Sequence, residues 1–220
     1  MYGYIFFDLD GTLTNPKLGI TRCVQYALEH FGIIEPDLDK LEPFIGPPLT
    51  DSFMEFYGLT EEQTVEAIDV YRSRFTDKGI FENEVLEGVP EMLAALKAAG
   101  RVLTVSSSKP EPFVERILER FELRKYFDVV VGATMDEKRT AKNEVIEETL
   151  RRLKLTDEDK KDVLMVGDRR HDVEGAHQCD IKVLGVKTGF ANEGELEKAG
   201  ADFIADTVED MKEFLLGQQG

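Results

Sequence analysis

The stretch Tyr4-Ile-Phe-Phe-Asp-Leu-Asp-Gly-Thr-Leu13 (YIFFDLDGTL) places an apolar run directly before two acids that a single leucine separates. An apolar run bounded by glycine is typical of a strand buried on both faces. Because side chains alternate along a strand, Asp8 and Asp10 should point roughly the same way. Carboxylates held this close repel each other unless a cation or a shared proton relieves the repulsion. The plainer alternative is that Asp10 and Gly11 begin a turn after a core strand.

The composition limits the classes of partner. The chain has 220 residues, with 44 acids against 27 bases and a net charge of −17. This balance argues against a nucleic acid polymer as partner, because polyanions bind to basic surfaces. The two cysteines, Cys23 and Cys179, are far apart and indicate neither a disulfide framework nor a zinc site. No signal peptide or membrane-spanning apolar window is evident, so we expect a cytoplasmic protein with no membrane partner.

Six apolar, β-rich runs recur along the chain, and from residue 85 onward a helical pattern separates each run from the next. The runs cover residues 4–7, 102–105, 127–131, 163–166, 181–186 and 203–205. Strands that alternate with helices through short connections predict a parallel sheet with helices on both faces. We therefore expect an α/β fold with a three-layer Rossmann-like core.

Residues 16–83 interrupt this alternation. Apolar residues repeat there at helical spacing in three segments, around 20–31, 49–56 and 65–75, and no convincing strand lies between them. We expect a core of residues 1–15 and 84–220 with a small helical domain inserted at 16–83. The loop 41–49 contains three prolines, so it should be rigid, and it either packs the insert or reaches over a site.

Polar side chains follow the predicted strands at the edge where a parallel sheet binds its ligands. Asp8 and Asp10 end the first strand, three serines and a lysine at 106–109 end the second, and the sequence GDRRHD at 167–172 ends the fourth. Lys142 opens the helix that precedes the fourth strand. These side chains should converge at one edge of the sheet.

Four of these side chains are carboxylates, and no Cys/His cluster accompanies them. The acids are Asp8, Asp10, Asp168 and Asp172, and the last two lie four residues apart, on one face if the chain turns helical there. Such a set suits Mg²⁺. A magnesium ion beside a serine hydroxyl and a lysine is a receptor for a phosphoryl group. Asp8 could then attack phosphorus while Asp10 acts as acid and base.

The motifs Asp8-Leu-Asp-Gly-Thr12, Ser107, Lys142 and Gly167-Asp-Arg-Arg-His-Asp172, in this order, resemble the four signatures of the haloacid dehalogenase-like phosphohydrolases. The insert looks like the type 1 cap of that family. Residues 185–190 and 199–203 are similar to the tail of its phosphoglycolate phosphatase branch. The resemblance covers essentially the whole chain.

The resemblance implies a role for each matching residue. Asp8 would be the nucleophile that forms an aspartyl-phosphate, and Asp10 would protonate the leaving oxygen and later activate water. Ser107 and Lys142 would hold the phosphoryl oxygens. The expected magnesium ligands are Asp8, Asp10 through its backbone carbonyl, Asp168, and Asp172 directly or through water. The expected substrate-binding residues are Gly11, Thr12, Ser108, Lys109 and Arg169.

Several assignments stay open at this point. Lys138 and Arg139 compete with Lys142 as the base that neutralises the phosphate, and Lys142 is preferred because it starts the periodic helix. Arg169 either orients the loop by pairing with an acid or contacts substrate. His171, and Arg22 and Arg72 of the insert, are either solvated or in contact with substrate.

The leading prediction is a magnesium-dependent phosphatase that hydrolyses a small soluble phosphate monoester. Phosphoglycolate and nucleoside 5′-monophosphates are the most plausible substrates, pyrophosphate is a third, and the insert would serve as a lid. One alternative is a phosphomutase of the same superfamily, and another is a non-catalytic regulatory protein that binds phosphate. The expected partner is a small phosphorylated metabolite, and the expected assembly is a monomer or small homo-oligomer.

Overall fold

The computed structural model describes residues 2–136 and 138–217. Its strands are β1 (Tyr4–Phe7), β2 (Thr14–Asn15), β3 (Glu84–Val85), β4 (Val102–Pro110), β5 (Val129–Ala133), β6 (Val163–Gly167), β7 (Lys182–Val186) and β8 (Phe203–Ala205). Its α-helices are α1 (Lys17–His30), α2 (Leu49–Tyr57), α3 (Glu61–Phe75), α4 (Val89–Ala98), α5 (Glu111–Arg120), α6 (Lys142–Leu153), α7 (Arg170–Gln178), α8 (Glu195–Ala199) and α9 (Val208–Leu216).

Six of the strands form a parallel sheet in the order β5-β4-β1-β6-β7-β8, flanked by helices. The α/β, Rossmann-like class expected from the sequence is therefore confirmed. Strand β1 lies inside the sheet, where Tyr4 is in register with Val102 of β4 and Val163 of β6. Its apolar residues Ile5 and Phe6 are fully buried, as the apolar run predicted.

This strand order positions the site. Because β4 and β6 both pair with β1 in parallel, the three strands end at the same edge of the sheet. This brings together three segments that lie far apart in sequence: the acids that follow β1, the polar residues at the end of β4 and the turn that follows β6.

Five predicted strand bounds differ from the structure, and two of them are small: the third strand ends at Ala133 and the fourth at Gly167. The second strand does not stop at residue 105 but runs through the serines to Pro110, with a register irregularity after Ser106. The third begins at Val129, because the Phe127 N–H closes a 3₁₀ turn onto the Arg124 carbonyl. The fifth begins at 182, because the Ile181 N–H bonds back to the end of α7.

By its internal contacts the chain divides into two units, 1–14 with 85–220 and 15–84. The short strands β2 and β3 pair with each other where the chain passes from one unit to the other. Each is only two residues long, which is too short to give a periodic signal. The sequence pattern therefore predicted no strand there. That the second unit acts as a cap domain bounded at 16–83 stays a prediction.

The second unit is helical, as its spacing predicted. Helices α1 and α3 pack together. Gly19 of α1 also approaches the 3₁₀ turn Gly79–Phe81 so closely that a Cβ on Gly19 would lie 2.1 Å from the Gly79 carbonyl oxygen. Phe44, from the proline-rich loop, is buried with ring contacts to Phe53 and Phe56 at 5.0 and 5.5 Å between centroids. These contacts favour a packing role for that loop.

No α-helix in residues 2–136 or 138–217 is long and apolar enough to cross a membrane.

Candidate active site

Asp8 and Asp10 lie directly after β1, and both are buried, with 5% and 7% of their surface exposed. The strand continues into Asp8, whose N–H donates to the Val166 carbonyl of β6 at 2.9 Å. The carboxylate of Asp8 accepts a hydrogen bond from Lys142 Nζ at 2.7 Å. The two acids therefore do not begin a plain surface turn, which was the alternative reading of this stretch.

Lys142 is the first residue of α6, as predicted, and its ammonium group is buried among acceptors. It lies 2.7 Å from Asp8, 2.7 Å from Asp172 Oδ1 and 3.1 Å from the Ser106 carbonyl oxygen. Burial lowers the pKa of Lys142, but the charges of Asp172 and Asp8 outweigh it and raise that pKa above its ordinary value. Gly175 of α7 makes this approach possible, since a Cβ there would lie 2.7 Å from the Lys142 Cβ.

Asp168 and Asp172 belong to the turn after β6, but they do not share a helical face as expected. Helix α7 begins at Arg170, so Asp168 precedes it and Asp172 lies in its first turn. The Asp172 carboxylate accepts from the Arg169 N–H at 3.0 Å, which closes the turn. The turn nevertheless brings a carboxylate oxygen of Asp8, Asp168 and Asp172 within 4.8 Å of one another.

The carboxylate of Asp168 is fully buried between two glycines. A Cβ on Gly11 or on Gly189 would lie 2.1 Å from its Oδ2 atom, so any side chain at either position would displace it. Gly11 also has φ of +83°, which glycine adopts most readily. The Asp168 carboxylate accepts from the Phe190 N–H at 2.7 Å and from the Thr12 hydroxyl at 3.5 Å.

Asp10 and Lys109 form a buried ion pair, in which the ammonium group contacts Asp10 Oδ2. Lys109 was predicted to bind substrate, and no sequence pattern indicated this partner 99 residues away. The other oxygen, Asp10 Oδ1, is buried with no hydrogen-bond partner in the part of the chain that the structure describes. Burial raises the pKa of Asp10, and the nearby Lys109 charge opposes that rise without cancelling it.

The three serines at the end of β4 have different environments. Ser106 is fully buried, and its hydroxyl bonds to the Thr149 hydroxyl of α6 at 2.8 Å. Ser107 is 2% exposed, and its hydroxyl accepts from the Lys109 N–H at 3.3 Å. Ser108 is half-buried. Ser107, the predicted site residue, thus lies next to the lysine that contacts Asp10.

The remaining candidates are placed as follows. The Arg169 guanidinium pairs with Glu195 at 2.9 Å, which favours an orienting role over substrate contact. Lys138 is 83% exposed at its side chain and pairs with Asp136, which favours the buried Lys142 as the phosphate-neutralising lysine. His171 is half-buried, and burial lowers its pKa.

Arg22 and Arg72 belong to the second unit. Arg22 donates to Glu82 at 2.8 Å. Arg72 accepts from the Thr76 hydroxyl through its backbone carbonyl at 2.9 Å. Whether either residue contacts substrate stays a prediction.

We call the buried groups at this edge the acid cluster: Asp8, Asp10, Asp168, Asp172, Lys109 and Lys142. Its four carboxylates face two ammonium groups. Burial, followed by the charges of Asp172 and Asp8, raises the pKa of Asp168 well above its ordinary value. Burial likewise raises the pKa of Asp172. A further cation would relieve this repulsion, and three converging carboxylates are the oxygen ligands that Mg²⁺ prefers.

Comparison with known proteins agrees with this geometry. Residues 5–186 match the haloacid dehalogenase-like hydrolase family. A Pseudomonas aeruginosa protein named 5′-nucleotidase is 46% identical over 195 residues, 89% of this chain and 87% of that protein. Tyrosine-protein kinase PtkA of Mycobacterium tuberculosis is 35% identical over 213 residues, 96% of this chain and 72% of that protein.

A solved structure is similar over its whole length. The crystal structure of a predicted phosphatase from Clostridium acetobutylicum superposes with a TM-score of 0.95 at 43% identity, and the match covers 99% of each chain. The family resemblance of the sequence motifs is therefore confirmed, together with the enzyme class, phosphoric monoester hydrolase, that they implied. The chain belongs to the haloacid dehalogenase-like hydrolases.

Proposed function

We propose that the protein is a magnesium-dependent phosphatase that hydrolyses a small phosphate monoester through an aspartyl-phosphate intermediate. The observation that carries the proposal is the acid cluster, in which Asp8 is held by Lys142 beside Asp168 and Asp172, while Asp10 has a lysine of its own. The Asp10 carboxylate, paired with Lys109, is thus separate from the other three carboxylates of the acid cluster. This separation suits one nucleophile and one acid–base group.

In the first step, a carboxylate oxygen of Asp8 forms a bond to phosphorus while the bond from phosphorus to the ester oxygen breaks. Asp10 donates its proton to that leaving oxygen. Burial raises the pKa of Asp10, so the group holds a proton more readily than an exposed aspartate does. In the second step, Asp10 takes a proton from water, which attacks phosphorus and releases Asp8.

The other residues hold the phosphoryl group and its charge. Lys142 and the Ser107 hydroxyl lie at the same edge and can donate to phosphoryl oxygens. Asp8, Asp168, the backbone carbonyl of Asp10, and Asp172 would hold Mg²⁺, which when bound neutralises the charge on those oxygens. The backbone at Gly11 and Thr12 lies beside Asp168. We keep these two residues as substrate-binding candidates, together with Ser108.

A nucleoside 5′-monophosphate is the substrate that we place first. Its support is the 46% identity to a protein named 5′-nucleotidase. Phosphoglycolate stays a second candidate from the motif resemblance. Three further points stay predictions: that the second unit selects the substrate, that the protein is cytoplasmic, and that it is a monomer or a small homo-oligomer.

The test is phosphate release from a panel of nucleoside 5′-monophosphates, phosphoglycolate, pyrophosphate and sugar phosphates, with MgCl₂ or with chelator. Three proteins are compared: the parent, Asp8→Asn, and the control Glu148→Gln, which removes a carboxylate that pairs with Arg151 and Arg152. We expect magnesium-dependent release by the parent and the control, and a loss of at least about a thousandfold in Asp8→Asn.

Each contrary outcome has a distinct meaning. Formation of an isomerised sugar phosphate without release of inorganic phosphate would support the phosphomutase alternative. Magnesium-independent release, or full activity in Asp8→Asn, would overturn the proposed mechanism. Phosphate binding without turnover would support the regulatory alternative, although that function gives no reason for a buried Asp10–Lys109 pair.

A further inference from the structure

Glu195 is a buried acid outside the acid cluster, and it is unusually well supplied with hydrogen-bond donors. Its side chain is 8% exposed although it begins a helix of only five residues. One oxygen accepts from Arg169 Nε and from the Arg170 N–H, each at 2.9 Å. The other accepts from the N–H of Asn192 at 3.0 Å and from its amide group at 3.1 Å. The sequence pattern did not indicate this residue as a site candidate.

These contacts join two segments that both touch Asp168. Arg169 and Arg170 directly follow Asp168 in the turn after β6. Asn192 belongs to the loop whose Phe190 N–H donates to Asp168 Oδ2 at 2.7 Å. Glu195 therefore fastens the turn that carries Asp168 to the loop that holds the Asp168 carboxylate.

Glu195 also balances a charge next to the acid cluster. The Arg169 guanidinium is close enough to Asp168 that its charge lowers the pKa of that carboxyl, although burial raises the pKa more. Burial raises the pKa of Glu195, but hydrogen bonds from the N–H groups of Arg170 and Asn192 and from Arg169 outweigh burial and lower that pKa to about 2. Glu195 is thus ionised and engages Arg169 at neutral pH.

We propose that Glu195 is a positioning residue, which holds the Arg169 guanidinium in an ion pair outside the acid cluster so that the Asp168 carboxylate stays available to a divalent cation. The proposal rests on the magnesium site of the proposed function. Without the Glu195 charge, Arg169 can pair instead with Asp168, the residue that precedes it and on whose carboxyl its charge already acts. Arg169 then competes with the cation for Asp168.

The test is calorimetric titration of the full-length protein with MgCl₂, without substrate. Glu195→Gln keeps the size of the side chain and one acceptor oxygen for the Arg170 N–H, while it removes the charge and replaces the oxygen that faces Asn192 by an NH₂ group. We expect the Mg²⁺ dissociation constant to rise by about 10–100-fold, as is typical when a partner of a metal ligand is lost. The matched control Glu148→Gln, which also removes a charge paired with arginines, should bind like the parent.

Removing Arg169 distinguishes charge competition from general damage. The double variant Glu195→Gln/Arg169→Met should regain most of the lost affinity, and Arg169→Met alone should bind Mg²⁺ at least as tightly as the parent. Unchanged affinity in Glu195→Gln, failed recovery in the double variant, or weaker binding in Arg169→Met would each overturn the proposal. If the parent binds no Mg²⁺, the proposed metal site fails first, and the Glu195 proposal fails with it.

Discussion

Two charge networks in the unit of residues 1–14 and 85–220 differ in the sign of the charge that is in excess. One is the acid cluster at the carboxyl edge of the sheet. The other, which we call the arginine network, lies beside the edge strand β5 and consists of Glu111, Glu148, Arg139, Arg151 and Arg152. In the arginine network, three arginines face two glutamates, whereas in the acid cluster four carboxylates face two lysines.

The pKa directions follow this difference. In the arginine network, hydrogen bonds from Arg151 lower the pKa of Glu148 to about 2. In the acid cluster, burial raises the pKa of Asp10, Asp168 and Asp172. Arg152 also donates to the Val130 carbonyl at 2.9 Å, so the arginine network satisfies backbone groups of an edge strand. In the arginine network each glutamate has arginine partners, whereas the acid cluster has an excess of buried negative charge that a bound cation would neutralise.

The largest effect should come from removing a lysine of the acid cluster. Lys142→Met leaves Asp8 and Asp172 buried without their cation, and we expect a loss of about 3–5 kcal/mol in the free energy of unfolding. Arg151→Met removes a cation of the arginine network that is 72% exposed, and it should cost at most about 1 kcal/mol. Urea unfolding without magnesium measures both, and equal losses would contradict the comparison.

A smaller effect should come from crowding Asp168. Gly189→Ala places a Cβ where the Asp168 carboxylate now lies, so we expect Mg²⁺ affinity to fall by about tenfold or more. Gly3→Ala is the control, since nothing lies within 4 Å of a Cβ there. Magnesium titration checks both variants. Parent-like affinity in Gly189→Ala would mean that Asp168 does not hold the ion.

A still smaller effect should follow from the loss of Lys109. In Lys109→Met, Asp10 loses the partner that fixes its carboxyl group, and kcat should fall by about tenfold for a nucleoside monophosphate. The decrease should be less for p-nitrophenyl phosphate, whose leaving group needs little protonation. Steady-state kinetics on the two substrates give the comparison. Equal decreases on both would indicate that Lys109 does not act through Asp10.

The smallest effect should be the pH dependence of the arginine network. The folded-state pKa of Glu148 lies at about 2, below its ordinary value of 4.5. Its ionised form therefore stabilises the fold above pH 4.5, and this contribution is lost as the pH falls toward 2. The difference in unfolding free energy between the parent and Glu148→Gln should shrink over that range. A difference that stays constant would contradict the assignment.

The sequence predicted the parts of the fold and site that depend on local pattern. The buried strand before Asp8, the helix that opens at Lys142 and the acidic turn at Asp168 are each visible within a short window. Contacts between distant segments were not visible. The partner of Lys109 follows the neighbouring strand β1, 99 residues away in sequence, and the contacts of Glu195 depend on how the loop after β7 folds back onto the turn after β6.

The most direct test of the central claim is to trap the phosphorylated enzyme. Asp10→Asn should still accept a phosphoryl group from p-nitrophenyl phosphate, because that leaving group needs little protonation, but it should hydrolyse the intermediate slowly. Mass spectrometry after acid quenching should find one added phosphoryl group on the peptide that contains Asp8, and none in Asp8→Asn. A phosphoryl group on another residue, or none at all while the parent turns over, would contradict the account.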